Sequence, residues 1–255
     1  MTIYESNSAH LYLNKFVLGF SGLSHAKLKR KNILGVPYLI RIREENRTII
    51  LYYNPATIDF HIPQDAIGII NTDSTVFGLA DGVSIVKGIT NNHSAMLSYA
   101  CVNQLKNLKS GLWHKEIESI ANKFATAHFV GASTCIWGKI HHSHLTTKLK
   151  ILFVGNPLDM GMGYLITPDG KLNLKNQSSG FLPSNFTIDS TEVYLPPVYS
   201  LVFSTDGVNL DSASVNNILA NINQLNFEQT LSLLSEHIKP NPDDQSLCII
   251  HQFTE

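Results

Sequence analysis

The 255-residue chain is poor in cysteine, nearly free of net charge and without any long apolar run, and each shortage removes a class of function. Cys101, Cys135 and Cys248 each sit inside an apolar stretch, and no CxxC pair offers a zinc or thioredoxin-type site. An odd, dispersed set of this kind reads as buried, reduced thiols in a cytosol-like compartment, not as a disulfide framework. With 19 Lys plus Arg against 20 Asp plus Glu, the net charge is −1. A general nucleic-acid binder needs a basic face to displace counterions, so that class is set aside. A basic knot at Lys27, Lys29, Arg30 and Lys31 reads as a solvated turn or helix end. No stretch approaches the roughly 18 apolar residues of a membrane span. The opening "MTIYESNSAHLYLNK" lacks a basic region leading into an apolar one, so no signal peptide is expected. Repeats and low-complexity linkers are also missing. The expectation is one cytoplasmic, soluble domain over residues 1–255, with no membrane and no nucleic-acid partner.

What is present is a pattern of strands interrupted by pairs of helices. Leu97, Cys101, Leu105 and Leu108 fall on one helical face within 92–108, and Ile117, Ile120, Ala121 and Phe124 repeat it within 114–127, with Gly111 between. Val215, Ile218, Leu219 and Ile222 form a third face; Phe227, Leu231, Leu234 and Ile238 form a fourth, stopped by "KPNP". β-Branched and aromatic runs fill the remainder, among them "YLIRIRE", "RTIILYY", "AIGII", "TVFGLAD", "STCIWGKI", "KLKILFVG", "MGYLIT", "EVYLP", "YSLVFSTD" and "SLCIIHQF". Strands that follow strands pair as hairpins. The predicted fold is α+β: a β-sandwich of two mainly antiparallel sheets flanked by pairs of α-helices.

Acidic residues gather at the ends of these runs. Asp169-Gly170, in "LITPDGKLNL", is a hairpin turn by context. Asp81-Gly82 and Asp206-Gly207 differ, because each terminates a long buried-looking run; Asp65 and Asp243 precede two others. Carboxylates collected at the ends of central strands repel one another and lose hydration, which is tolerable chiefly when they hold cations. Oxygen-only donors suit Mg²⁺ or Mn²⁺. Two such ions about 4 Å apart can acidify a water and direct it at phosphorus. Other polar clusters have plainer readings. His141, His142 and His144 read as an exposed hairpin turn, and Ser133-Thr134 has no base at useful spacing.

The order QDA, ADG, GAST, VGN, STDG and DDxS resembles the metal-dependent protein phosphatase 2C (PPM) family, and most closely its bacterial branch with a Gln-Asp-Ala first motif. The earlier "GFSGLSHAKLK" resembles that branch's first strand, and the likeness extends from about residue 17 to 253. It implies a phosphoserine/phosphothreonine phosphatase that uses two Mg²⁺ or Mn²⁺ ions and a metal-bridged water on phosphorylated protein substrates. By the same resemblance Asp81 would bridge both ions and the Gly82 carbonyl would bind the second. Asp206 and Asp243 would complete the first, with Asp243 preferred to Asp244 by position, and Asp65 would serve the second. The chain departs from the family at Gln64, where a Glu is usual, and lacks the phosphate-gripping Arg, leaving His61 as the nearest polar group for substrate phosphate. It also carries Asn156 in "VGNP", "VSIVKG" after Asp81-Gly82, and an expected insertion at about 33–60. These departures keep a second reading open, a weak or inactive pseudophosphatase acting as a binding module. A two-metal phosphodiesterase or nuclease fits the charge poorly.

Overall fold

The computed structural model describes residues 1–7, 12–14, 16–22, 37–55, 63–83, 91–126, 128–143, 145–156, 161–174, 177–239 and 241–254. His61, His144, the basic knot and the loop after Val83 lie outside these residues.

Sheet one runs, in spatial order, β1 (Ile3–Ser6), β4 (Tyr38–Arg43), β5 (Arg47–Asn54), β14 (Gln245–Gln252), β13 (Tyr199–Ser204), β10 (Gly163–Thr167) and β11 (Gly170–Asn173). Sheet two runs β12 (Ile188–Leu195), β9 (Thr147–Val154), β8 (Ser133–His142), β7 (Thr75–Gly82), β6 (Ala66–Asn71), β3 (Val17–Ser21) and β2 (Tyr12–Asn14). Every pairing between them and within them is antiparallel. Four helices complete the described chain: α1 (Asn91–Asn103), extended by a 3₁₀ segment Gln104–Ser110, α2 (Trp113–Phe124), α3 (Ser212–Asn221) and α4 (Phe227–His237).

The period-2 alternation of each strand divides its side chains between two cores. On β5, Ile49, Leu51 and Tyr53 enter the space between the sheets, while Ile50 and Tyr52 pack under α3 and α4. On β7, Phe77 and Leu79 face inward, while Val76 and Ala80 pack under α1 and α2. The helical faces read from spacing are the ones buried. Leu97, Cys101, Leu105 and Leu108 meet Trp113, Ile117, Ile120, Ala121 and Phe124 over sheet two, and Val215, Ile218 and Ile222 meet Leu234 and Ile238 over sheet one. Gly111 ends the 3₁₀ segment in the left-handed region at φ 77°, where a side chain would be strained. Buried Arg41 ties sheet one to its helices: Nε bonds Glu5 at 2.6 Å, and Nη1 donates to the Leu225 carbonyl at 2.7 Å and the Thr230 hydroxyl at 2.9 Å.

Within the stretch at about 33–60, read as an insertion carrying two strand-like runs, the described residues form β4 and β5, and β5 pairs along its whole length with β14, from Arg47–Gln252 to Asn54–Gln245. β5 is buried at every position.

Phe77 sits at the middle of the inter-sheet core, its ring centroid 5.1 Å from that of Phe203 and its edge over Gly138, where an added Cβ would approach within 2.0 Å. Phe77→Ala should cost about 3–5 kcal/mol. Gly138→Ala, which overpacks the same spot, should cost about 1–3 kcal/mol. Urea denaturation checks both, and a neutral Gly138→Ala would contradict the packing described.

Candidate functional site

The same alternation places the acidic residues. Phe77 and Leu79 face inward on β7, so Asp81 does too; Ile67 and Ile69 face inward on β6, and Asp65 continues their row. From sheet one, Phe203 leads to Thr205, and Cys248 leads back through Ser246 to Asp244. Both sheets therefore deliver their polar residues to one end of the sandwich. Asp65, at 2% exposure, and Asp81, at 7%, are buried there. Asp243 is half-buried and Asp206 exposed at the rim.

Asp81-Gly82 is strand, not turn. Asp81 pairs with Thr134 and Gly82 with Ser133 on β8, and the Val83 amide donates to the Ala132 carbonyl at 3.0 Å. A Cβ on Gly82 would lie 2.6 Å from the Gln64 Cβ and 3.0 Å from its carbonyl oxygen, so glycine is needed for this close approach. Asp206-Gly207 is a turn as well as an acidic site, closed by the Val208 amide on the Thr205 carbonyl at 3.2 Å. Asp169-Gly170 forms the β10–β11 hairpin, remote in role from the other two.

Hydrogen bonds tie these motifs together. Thr205 Oγ1 and Ser246 Oγ both donate to Asp65 Oδ2, at 2.8 and 2.9 Å. The Ser246 amide donates to Thr205 Oγ1 at 3.0 Å. Asp244 Oδ2 accepts from the Gln64 amide and from the Asp65 amide, the latter at 3.3 Å. Asp243 Oδ1 accepts from the Asp244 amide at 2.9 Å. Asp244 thus spends an oxygen on the backbone of the first motif, while Asp243 stands nearer the rim. Gln245 Nε2 bridges the Gly207 and Lys239 carbonyls at 2.9 and 2.8 Å, and Asn241 Nδ2 reaches the Gly207 carbonyl at 3.1 Å, joining the two loops that carry Asp206 and Asp243.

Electrostatics follow from burial and from the crowding of like charges. Burial first, then the charges of Asp244 and Asp243, push the Asp65 carboxyl well above the usual range, against the two hydroxyl bonds that favour its anion. Burial, followed by the charges of Asp65, Asp206 and Asp243, raises Asp81 as well, and the nearby Asp206 carboxyl adds to the rise. An oxygen-only set under this repulsion fits a hard divalent ion. Among the described residues, however, no group of three or more His, Cys, Asp or Glu is arranged as a ready-made ligand set.

The sequence reading overlooked the supporting groups. Thr205 and Ser246 lie beside acids in "STD" and "DDQS", but nothing in the sequence says that their hydroxyls turn toward Asp65. Gln64 behaves unlike its neighbour: it leaves Asp65 on the opposite, helix-facing side, 1% exposed, with no partner for either amide atom among the described residues. Ser133 is a packing residue, its hydroxyl 3.0 Å from that of Ser98. His142, at the far end of β8, bonds Thr147 and takes no part in the acidic cluster.

The raised carboxyls carry a pH signature. Asp65 and Asp81 bind protons more tightly folded than unfolded, where the reference value is 3.8. In chelator-treated protein, the stability from this source is complete below that value and is lost as pH rises through the raised folded values. Metal-free Asp81→Asn should melt above metal-free wild type near pH 7, with the gap closing toward pH 4. A gap independent of pH in differential scanning calorimetry would contradict the assignment.

No protein-family model matches the chain, and no curated protein matches it in sequence. Solved structures do match. RsbX in complex with magnesium superposes with a TM-score of 0.61 at 16% identity, covering 84% of this chain and 99% of that one. A structure from work on the bacterial stressosome, a modular system adapted to control secondary messenger signalling, gives 0.63 at 13% identity, covering 81% and 100%. The Mycobacterium tuberculosis serine/threonine phosphatase PstP gives 0.59 at 10% identity, covering 82% and 100%. With two antiparallel seven-stranded sheets between helix pairs, the chain has the fold of the bacterial serine/threonine phosphatases of the protein phosphatase 2C (PPM) type.

Proposed function

We propose that the protein is a Mg²⁺- or Mn²⁺-dependent phosphatase of phosphoserine and phosphothreonine in proteins, acting in the cytoplasm. The observation that carries this reading is the convergence of Asp65, Asp81, Asp206 and Asp243 from four separate motifs on one end of the sandwich, close enough that their charges act on one another. Magnesium in the RsbX structure and the phosphatase activity named for PstP lend support by likeness of fold.

Asp81, the Gly82 carbonyl, Asp206 and Asp243 would hold the ions, with Asp65 serving the second. Two bound ions would supply an acidified water and positive charge for the phosphate oxygens. The chain's own contribution is placement. β7 aims Asp81 between the sheets, the Thr205–Val208 turn presents Asp206 at the rim, and Asn241 and Gln245 keep the 206–207 and 239–243 loops together. The substrate's phosphate would depend on the ions for charge, and His61 is proposed as its remaining protein contact.

A second reading, a pseudophosphatase serving as a regulatory module, is favoured by one observation: the neutral Gln64 beside Asp65, where the resembled family has a Glu. A manganese-supplemented assay on a phosphothreonine peptide and on p-nitrophenyl phosphate separates the two. Activity is expected, and Asp81→Asn or Asp206→Asn should lower kcat/KM by about 100-fold or more, since several kcal/mol of transition-state charge stabilisation is removed. No turnover of either substrate, together with no Mn²⁺ binding, would end the catalytic reading and favour the regulatory one.

A further inference from the structure

One oxygen of the buried Asp65 carboxyl is taken up by two side-chain hydroxyls. Oδ2 accepts the Thr205 hydroxyl at 2.8 Å and the Ser246 hydroxyl at 2.9 Å. An ionised carboxylate oxygen offers about two acceptor directions, and here both are filled. The donors are themselves fixed. Thr205 and Ser246 are each 0% exposed. Thr205 Oγ1 takes the Ser246 amide at 3.0 Å, and the Thr205 amide returns a bond to the Ser246 carbonyl at 3.0 Å. With its proton committed to Asp65 and an acceptor site committed to Ser246, the Thr205 hydroxyl cannot rotate without breaking a buried bond.

The backbone is held from another direction. Asp244 Oδ2 accepts from the amides of Gln64 and Asp65, so the residue's main chain and its carboxylate are both pinned by elements of sheet one. Asp65 itself precedes β6 in sheet two. The bonds therefore cross the sandwich, and they connect the first acidic motif with the motifs that carry Asp206 and Asp243.

We propose that Thr205 and Ser246 are positioning residues that clamp the Asp65 carboxylate, reserving Oδ2 for the protein and leaving Oδ1 as the single oxygen it offers to a divalent cation. The proposal rests on the reading of Asp65 as an ion ligand. It assigns the hydroxyls of "STD" and "DDQS" a function separate from the acids beside them: they fix the orientation of a ligand that belongs to the opposite sheet. Without the clamp the carboxylate could rotate about its terminal torsion, which is soft. Oriented ligands bind ions more tightly than free ones, and losing such a supporting bond weakens metal binding by about 10–100-fold.

The test is calorimetric titration of the full chain with Mn²⁺, paired with circular dichroism to establish that each variant is folded. Thr205→Val should weaken Mn²⁺ binding by about 10–100-fold. Thr205→Ser, which keeps the hydroxyl and loses only a methyl, should restore binding to near the wild-type value. In an Asp65→Asn background, Thr205→Val should add little further loss, because both changes act on one ligand. Should Thr205→Val fail to fold, Ser246→Ala removes the other donor and should weaken Mn²⁺ binding in the same direction. Wild-type affinity in the folded valine variant, an equal loss in the serine variant, or an undiminished loss in the Asp65→Asn background would each overturn the clamp while leaving ion binding intact. Wild-type protein that binds no Mn²⁺ would overturn the underlying reading and the clamp with it.

Discussion

The apolar contact between the inner faces of the two sheets, centred where the Phe77 and Phe203 rings lie 5.1 Å apart, is the constraint on which everything else depends. Once Phe77 and Leu79 point inward from β7, and Ile67 and Ile69 from β6, strict alternation leaves Asp81 and Asp65 no other direction. A register slip of one residue would send both carboxylates to the helix side and the core residues with them. The hydrophobic effect thus chooses the register, and the register builds an acidic centre that would be unfavourable to assemble by itself.

Two polar ties close the ends of this apolar layer. At the end away from the acids, Arg47 on β5 crosses to sheet two, donating to Thr75 at 2.9 Å and Asn71 at 3.2 Å, with its charge met by Glu44. At the acidic end, Asp65 crosses the other way, toward Thr205 and Ser246. The two ties are opposite in character. Arg47 has a carboxylate partner and every bond of its network is among protein groups, whereas the acidic end concentrates like charges and raises its own carboxyls. An end of the sandwich that stores repulsion is one that binding of a divalent ion would relieve.

Much of this was legible in the chain itself, because amphipathic spacing is imposed by burial. The ten quoted apolar runs are strands, and the four helical faces, such as Leu97, Cys101, Leu105 and Leu108, are buried or half-buried where spacing put them. β1 and β2 escaped the reading of the residues, being short strands at the sheet edges. The segment around β4 and β5 was visible as strands but not as part of the core sheet. Its partner β14 lies about two hundred residues away, and pairing at that range leaves no local trace. Turn chemistry was also only half informative: Asp169-Gly170, Asp206-Gly207 and Asp81-Gly82 share a dipeptide, yet they are a hairpin, a turn at the acidic rim and a strand.

By itself the sequence determined which residues alternate, which acids end buried strands and which helices need a partner, since these follow from local periodicity and the cost of leaving apolar surface in water. Only the tertiary structure decided that the charge of Asp206 acts on Asp81, that Asp244 spends its oxygen on the Gln64 and Asp65 amides, and that Gln64 leaves on the opposite face from Asp65. It alone decided that two unremarked hydroxyls, Thr205 and Ser246, meet one carboxylate oxygen. Those are cross-sheet relations, set by how two separately formed layers dock, and hydrogen-bond geometry at that interface is not encoded in the spacing of either layer.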